Sequence, residues 1–274
     1  MKKLILILFA AISLQLSGCA TTTQDSVSGV NRSQFMLLPA SQVVSMSSQA
    51  YTQTLQESQK KNTLNTDKVQ LERVRTISNR LIAQVGIFRP DAVQWQWEVN
   101  VDKNDQVNAY CMPGGKIMVL TGLIDQLKIT DDELGAVIGH EIAHALREHG
   151  RERMSQAYVQ QFGLQALGAM ITKGTSAAVG NASMQAAGIG SQLFFALPNS
   201  RLQETEADKI GLELSARAGY NPDAAITLWQ KMGKLSANKP SEFFSTHPSD
   251  TTRIAELQKL VPKVKPLYEA AKKR

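Results

Sequence analysis

Three of the four histidines in this 274-residue chain fall within ten residues, in "HEIAHALREH" at 140–149. His140 and His144 are one helical turn apart, offset by about 40° and about 6 Å, so both imidazoles can reach one ion. Glu141 lies about 60° round the axis from His144, beside such an ion, where a carboxylate can take a proton from an attacking water. Two imidazoles alone hold zinc weakly; a catalytic site has three protein ligands and an open fourth position. With no spare histidine or cysteine on a nearby helix, the third ligand should be a carboxylate from another helix. "SRLQETEAD" at 200–208 offers one. Glu204 and Asp208 share a helix face, while Glu206 points away. The pattern therefore assigns one Zn²⁺ per chain to His140, His144 and Glu204. Asp208 stands behind them, accepting the free N–H of a ligating histidine. His149 follows His140 by nine residues, about 900° of helix, so it faces away and reads as exposed or as interacting with the helix C-terminus.

These residues need a helical frame, and the surrounding sequence supplies one. Thr130 and Glu133 have the spacing of a capping box, which starts a helix near Asp131. Its lead-in Leu134, Ala136, Val137 and Ile138 is apolar, so the helix is expected to be buried. Asn199 opens another helix, ended by Gly219, and Pro222 sits in the first turn of the next. Upstream, helices are expected over 41–60 and 66–85, the second with Val69, Val74, Ile77, Leu81 and Val85 on one face. "QWQWEVNV" alternates as a strand, and "VNAYCMPGGKIMVLTGL" gives two more around a turn at Pro113–Gly115, together a small meander. Residues 154–200 are rich in small residues, and Lys173 is the single charged residue beyond Arg153 and before Arg201. They read as closely packed helices or as a substrate- or membrane-facing flap.

The first residues set the compartment. "MKKLILILFAAISLQLSGCA" has two lysines, a short apolar run and small residues before Cys19, the regions of a secretory signal. Its ending "LSGC" resembles the lipobox of bacterial lipoproteins, which implies cleavage before Cys19 and lipid on its sulfur. Ala20 after the cysteine favours the outer membrane by the same resemblance. Residues 1–18 are then a signal peptide, 19–40 a flexible tether, 41–265 the folded domain and 266–274 a tail. Cys111 is left without a partner and reads as a buried, inert thiol. Charged residues make up 20% of the chain, and the formal charge of +6 falls to +4 without Lys2 and Lys3. No basic block interleaved with aromatics occurs, so nucleic acid is not an expected partner.

Taken together, "HEIAH", the downstream "ETEAD", the preceding "NAYCMPGG" and the following "HPSDTTR" resemble the gluzincin peptidases of the CAAX-prenyl-protease and HtpX type. The likeness is nearest to their soluble or lipid-anchored relatives related to mitochondrial Oma. It implies an α+β fold: a mainly helical zincin-type peptidase domain with a small β-sheet beside the HExxH helix. It also implies zinc-dependent cleavage of damaged or misassembled cell-envelope proteins. In that family "NAYCMPGG" corresponds to the edge strand beside the metal, which makes Asn108 and Ala109 candidate substrate-binding residues; an ordinary core strand is the other reading. His247 would lie near the zinc, there either to donate to the oxyanion as a catalytic residue or to occupy the open metal position. The expected partners are unfolded or misassembled envelope proteins, a membrane reached through the N-terminal lipid and, as a further candidate, outer-membrane assembly machinery. The expected location is the inner leaflet of the outer membrane, facing the periplasm. A non-proteolytic chaperone or assembly factor with a zinc-bound peptide-binding domain is the alternative.

Overall fold

The capping box at Thr130 forms: its hydroxyl accepts from the Glu133 N–H, and the Glu133 carboxylate accepts from the Thr130 N–H. The computed structural model describes residues 19–172, 197–238, 242–247 and 252–273. In chain order its helices are α1 (Ala40–Lys60), α2 (Lys68–Ile82), α3 (Thr121–Leu127), α4 (Asp131–Leu146), α5 (His149–Thr172), α6 (Arg201–Arg217), α7 (Asp223–Asn238), α8 (Glu242–Thr246) and α9 (Thr252–Ala271). The strands are β1 (Cys19–Ala20), β2 (Gln34–Phe35), β3 (Glu98–Asp102), β4 (Ala109–Met112) and β5 (Lys116–Leu120). The fold is α+β. The expected signal peptide, and residues 173–196 of the expected flap, lie outside the described residues. Among the described residues no helix is long and apolar enough to cross a membrane.

Helix α4 is the axis of the molecule, buried at every residue from Glu133 to Leu146. It packs along α6, and the two backbones touch. A Cβ added at Gly211 would lie 2.7 Å from the His140 backbone nitrogen, and one at Gly139 would lie 2.5 Å from Ser215 Oγ. Only glycine at both positions permits this approach. Ser215 fastens the crossing by donating to the Gly135 carbonyl at 2.9 Å. Helix α6 has a capping box of its own between Ser200 and Gln203, one residue later than the expected start at Asn199.

The other face of α4 meets the sheet, whose order is β3-β5-β4. β5 pairs parallel with β3 and antiparallel with β4, so the expected meander is not the topology. The reason lies in composition: Ile117, Met118, Val119 and Leu120 are all buried. A strand apolar on both faces takes the centre, whereas β4 carries the half-buried Tyr110 and becomes an edge. The β4–β5 turn forms as expected, with Gly114 and Gly115 at φ +84° and +86°. The first strand is shorter than its alternation suggested. Pro90 starts a 3₁₀ turn, Trp97 donates its indole N–H to the Ala92 carbonyl at 2.8 Å, and extended pairing begins at Glu98.

Three further expectations change. Val69 is 80% exposed. Asp67 caps α2 through its carboxylate, and the buried stripe runs Leu71, Val74, Ile77, Ser78 and Leu81. Val69 sits about 140° round from Val74 on that helix. The tail at 266–274 is largely helix, since α9 continues to Ala271 with Leu267 and Tyr268 against the core. The loose tether is, in its later part, an ordered arm: Ser28 N–H reaches Glu213 at 2.6 Å, and Leu37 and Leu38 N–H reach Ser155 Oγ at 3.1 Å. Cys111 is buried and free, and burial pushes its thiol well above the usual range. That matches the inert role expected of it.

Candidate active site

Four donor atoms, one each from His140, His144, Glu204 and His247, lie within 4.8 Å of one another, and all four residues are buried. His140 Nε2 and His144 Nε2 are 3.0 Å apart. Glu204 Oε2 is 3.4 Å from the former and its Oε1 is 3.3 Å from the latter. His247 comes from the end of α8, its ring stacked on Phe243 at 4.3 Å, and places Nδ1 3.0 Å from Glu204 Oε1.

The partners behind the rings fix which nitrogens carry protons. His140 Nδ1 lies 3.0 Å from Asp208 Oδ1, which holds the proton on Nδ1 and leaves the Nε2 lone pair directed into the group. Asp208 is in turn gripped by Arg253 through bonds of 2.7 and 2.6 Å, and that guanidinium lies 3.7 Å over the Trp229 ring. On the other ring, His149 Nε2 donates to Glu206 at 3.0 Å, so its Nδ1 accepts from His144 Nδ1 at 2.8 Å. That relay leaves His144 Nε2 as a lone pair as well. Burial keeps His149 neutral, pulling its pKa down to about 4 against the opposing pull of Glu206.

Two imidazole lone pairs and a carboxylate converging in a dry site repel one another unless a cation lies between them. Burial opposes a charge on His140, yet Asp208 and Glu204 raise its pKa to about 9. Glu204 is held well below the usual carboxylate range: burial would raise it, but His247 and His144 pull it down. The group thus calls for positive charge. Its two or three nitrogens with one carboxylate oxygen are a donor set typical of zinc, and it is suited to hold one such ion.

Glu141 stands beside the group. Burial raises its carboxyl pKa, with His247 and His140 opposing. Its Oε1 is out of solvent with no hydrogen-bond partner among the described residues, 3.5 Å from His247 Nε2. A cavity of about 80 Å³ opens here, lined by Asn108, Ala109, Tyr110, Arg153 and His247 among others. Strand β4 is the edge of the sheet. Asn108 turns its side-chain Oδ1 back to accept from the Ala109 N–H, while its carbonyl accepts from Leu120 N–H.

A family model described as peptidase family M48 matches residues 68–261. The chain belongs to peptidase family M48. Among its relatives, it is 40% identical to the mitochondrial metalloendopeptidase OMA1 of Arabidopsis thaliana over 57% of this chain and 30% of that protein. It is 28% identical to the metalloprotease LoiP of Escherichia coli over 94% of this chain and 96% of that one. It is 27% identical to the beta-barrel assembly-enhancing protease of Yersinia pestis over 73% of this chain and 40% of that protein. The chain thus spans less than half the length of the plant and Yersinia relatives.

Within this M48 chain, the sequence-based residues His140, Glu141, His144, Glu204, Asp208 and His247 come together, and Asn108 and Ala109 line the adjoining cleft. Cys19 begins β1, outside this group. One expectation fails. His149 is neither exposed nor facing away but is buried and held by Glu206, which turns away from the metal group as expected. Arg253 was missed as the partner of Asp208, although "HPSDTTR" placed it close in sequence to His247.

Proposed function

We propose that the chain is a zinc-dependent metalloendopeptidase. The convergence of the His140, His144 and Glu204 donor atoms beside the buried Glu141 carboxylate carries the reading. His140, His144 and Glu204 hold the ion. Bound there, zinc supplies a Lewis acid that polarises the scissile carbonyl and acidifies a neighbouring water. An extended substrate lies along the β4 edge past Asn108 and Ala109, where backbone bonds bind it with little regard to side chains. Glu141 accepts the proton of the attacking water as the new C–O bond forms. It then passes that proton to the amine nitrogen as the C–N bond breaks. His247 has two roles available: its ring could join the residues that would hold the ion, or it could donate an N–H to the developing oxyanion.

The substrates we propose are unfolded or misassembled proteins of the cell envelope. The bacterial relatives named as a metalloprotease and as a beta-barrel assembly-enhancing protease support this. Attachment at the outer membrane through a lipid on Cys19 is part of the same proposal, motivated by the lipobox. Glu141→Gln tests the enzyme. The expected outcome is zinc retained by elemental analysis, with casein cleavage falling by about 10²–10⁴-fold. Undiminished, chelator-sensitive cleavage by that variant rules out Glu141 as the base. Zinc-loaded wild-type protein that binds casein without cutting it supports a chaperone instead.

A further inference from the structure

The cleft beside Glu141 contains one charge that the hydrolytic steps do not use. Arg153, one turn into α5, lines the cavity with Asn108, Tyr110 and His247. Other arginines near the site have carboxylate partners: Arg32 with Glu152 at 2.6 Å, Arg147 with Glu206 at 3.3 Å, Arg253 with Asp208 at 2.6 Å. Among the described residues Arg153 has no such ion pair. Its Nη1 donates to the Asn199 side-chain oxygen, and its Nε is out of solvent without a hydrogen-bond partner. Burial pulls its pKa down to about 10, only partly offset by the more distant Glu204, Glu152 and Glu141.

A guanidinium stays charged at any working pH, and a partly desolvated one without an adjacent anion is costly to keep. The same group carries a planar fork of donors matched to a carboxylate. Arg153 is thus an unfilled half of an ion pair, set in the wall of the cleft that the substrate would occupy. We propose that Arg153 is a specificity residue that receives a carboxylate of the bound peptide, from an aspartate or glutamate side chain or from a free C-terminus. This rests on the peptidase reading of the same site. It adds a side-chain preference to backbone recognition along β4, because Asn199 fixes one arm of the guanidinium while no carboxylate among the described residues pairs with it.

The test uses full-length Glu141→Gln protein loaded with zinc, so that affinity is read without cleavage. Its ligands are fluorescent peptides in which one glutamate walks along a neutral sequence, with glutamine counterparts, each made as the C-terminal acid and amide. The expected result is that glutamate at one position, or the free acid, tightens binding by about tenfold over its neutral counterpart. The glutamate series and the acid–amide pairs separate the two sources of carboxylate. In the Glu141→Gln/Arg153→Met protein the preference should fall to near unity, and Arg153→Lys should keep part of it as a point charge. Equal affinities across every acidic and neutral pair in the Arg153 protein overturn the proposal, as does failure of all the peptides to bind. A preference that persists in Arg153→Met also overturns it. Should Arg153→Met misfold, judged by zinc content and melting, Arg153→Lys and the parent decide. Wild-type protein that leaves every peptide intact counts against hydrolysis, while the affinities still judge Arg153.

Discussion

At the scale of single residues, the rings of the candidate metal group are aimed by what stands behind them. His144 owes its tautomer to His149 and Glu206, and His140 to Asp208 and Arg253. Removing such a partner costs about 10–100-fold in metal affinity. His149→Ala is therefore expected to weaken zinc binding by about that factor in a competitive chelator titration, with the fold intact by circular dichroism. Unchanged affinity would show that the relay does not aim His144. The pairing of His140 with His144 was legible in the sequence, because a one-turn spacing is a property of any helix. His149 was not. Counting 100° per residue from His140 assumes one continuous helix, but Glu148 adopts φ +50° and the chain turns between α4 and α5. The phase is lost there, and His149 swings back under His144. Arg153, four residues further on, was hidden by the same turn.

At the scale of elements, the site exists because two helices cross at a pair of glycines. Gly211→Ala would put a methyl about 2.7 Å from the His140 backbone nitrogen. Backbone atoms cannot yield as a flexible side chain can, so α6 must move away and carry Glu204 with it. The expected cost is about 1–3 kcal/mol of stability, with a loss of zinc that exceeds the loss of fold. Calorimetry and metal analysis on the same sample check this. Full zinc occupancy with an unchanged melting temperature would mean that the crossing has slack. The helix start at Thr130 could be read from cap spacing, and the one at Ser200 was placed to within a residue at Asn199. Sheet order could not, because alternation within a strand says which face is buried and not which strand is its neighbour. Only the four consecutive buried residues of β5 hinted at its central place.

At the scale of the whole molecule, residues 21–39 clasp the domain. Arg32 bridges Glu152 of α5 and Glu206 of α6 at 2.6 and 2.8 Å, and Gln34 bonds the Arg147 carbonyl and Glu152. Burial would raise the Glu152 pKa, but Arg32, Gln203 and Gln34 hold it below its usual 4.5. A depressed carboxylate stabilises the fold above its unfolded value and loses that contribution as pH falls through the folded one. Arg32→Met should thus cost about 2 kcal/mol near neutral pH, discounted from a fully buried pair because Arg32 is partly exposed. The gap in melting temperature from wild type should narrow below about pH 4.5. A gap that stays constant from pH 7 to pH 3.5 would assign the effect to packing alone. Polar composition suggested a tether here; what composition cannot convey is that buried acids elsewhere, Glu152, Glu206 and Glu213, await this segment.

The small hairpin of β1 and β2 bears on where such an enzyme could work. Twenty residues of loose chain would reach roughly 65 Å, enough to let a domain roam through the space beyond a bilayer. Here the backbone of Cys19 is already paired with that of Phe35, and the arm that follows is bolted to the body. If the cysteine is acylated, the slack is nearly gone. The cleft would then patrol a shell no deeper than the protein itself, about 20 Å in radius, meeting client chains as they emerge at the lipid surface rather than after they have drifted away.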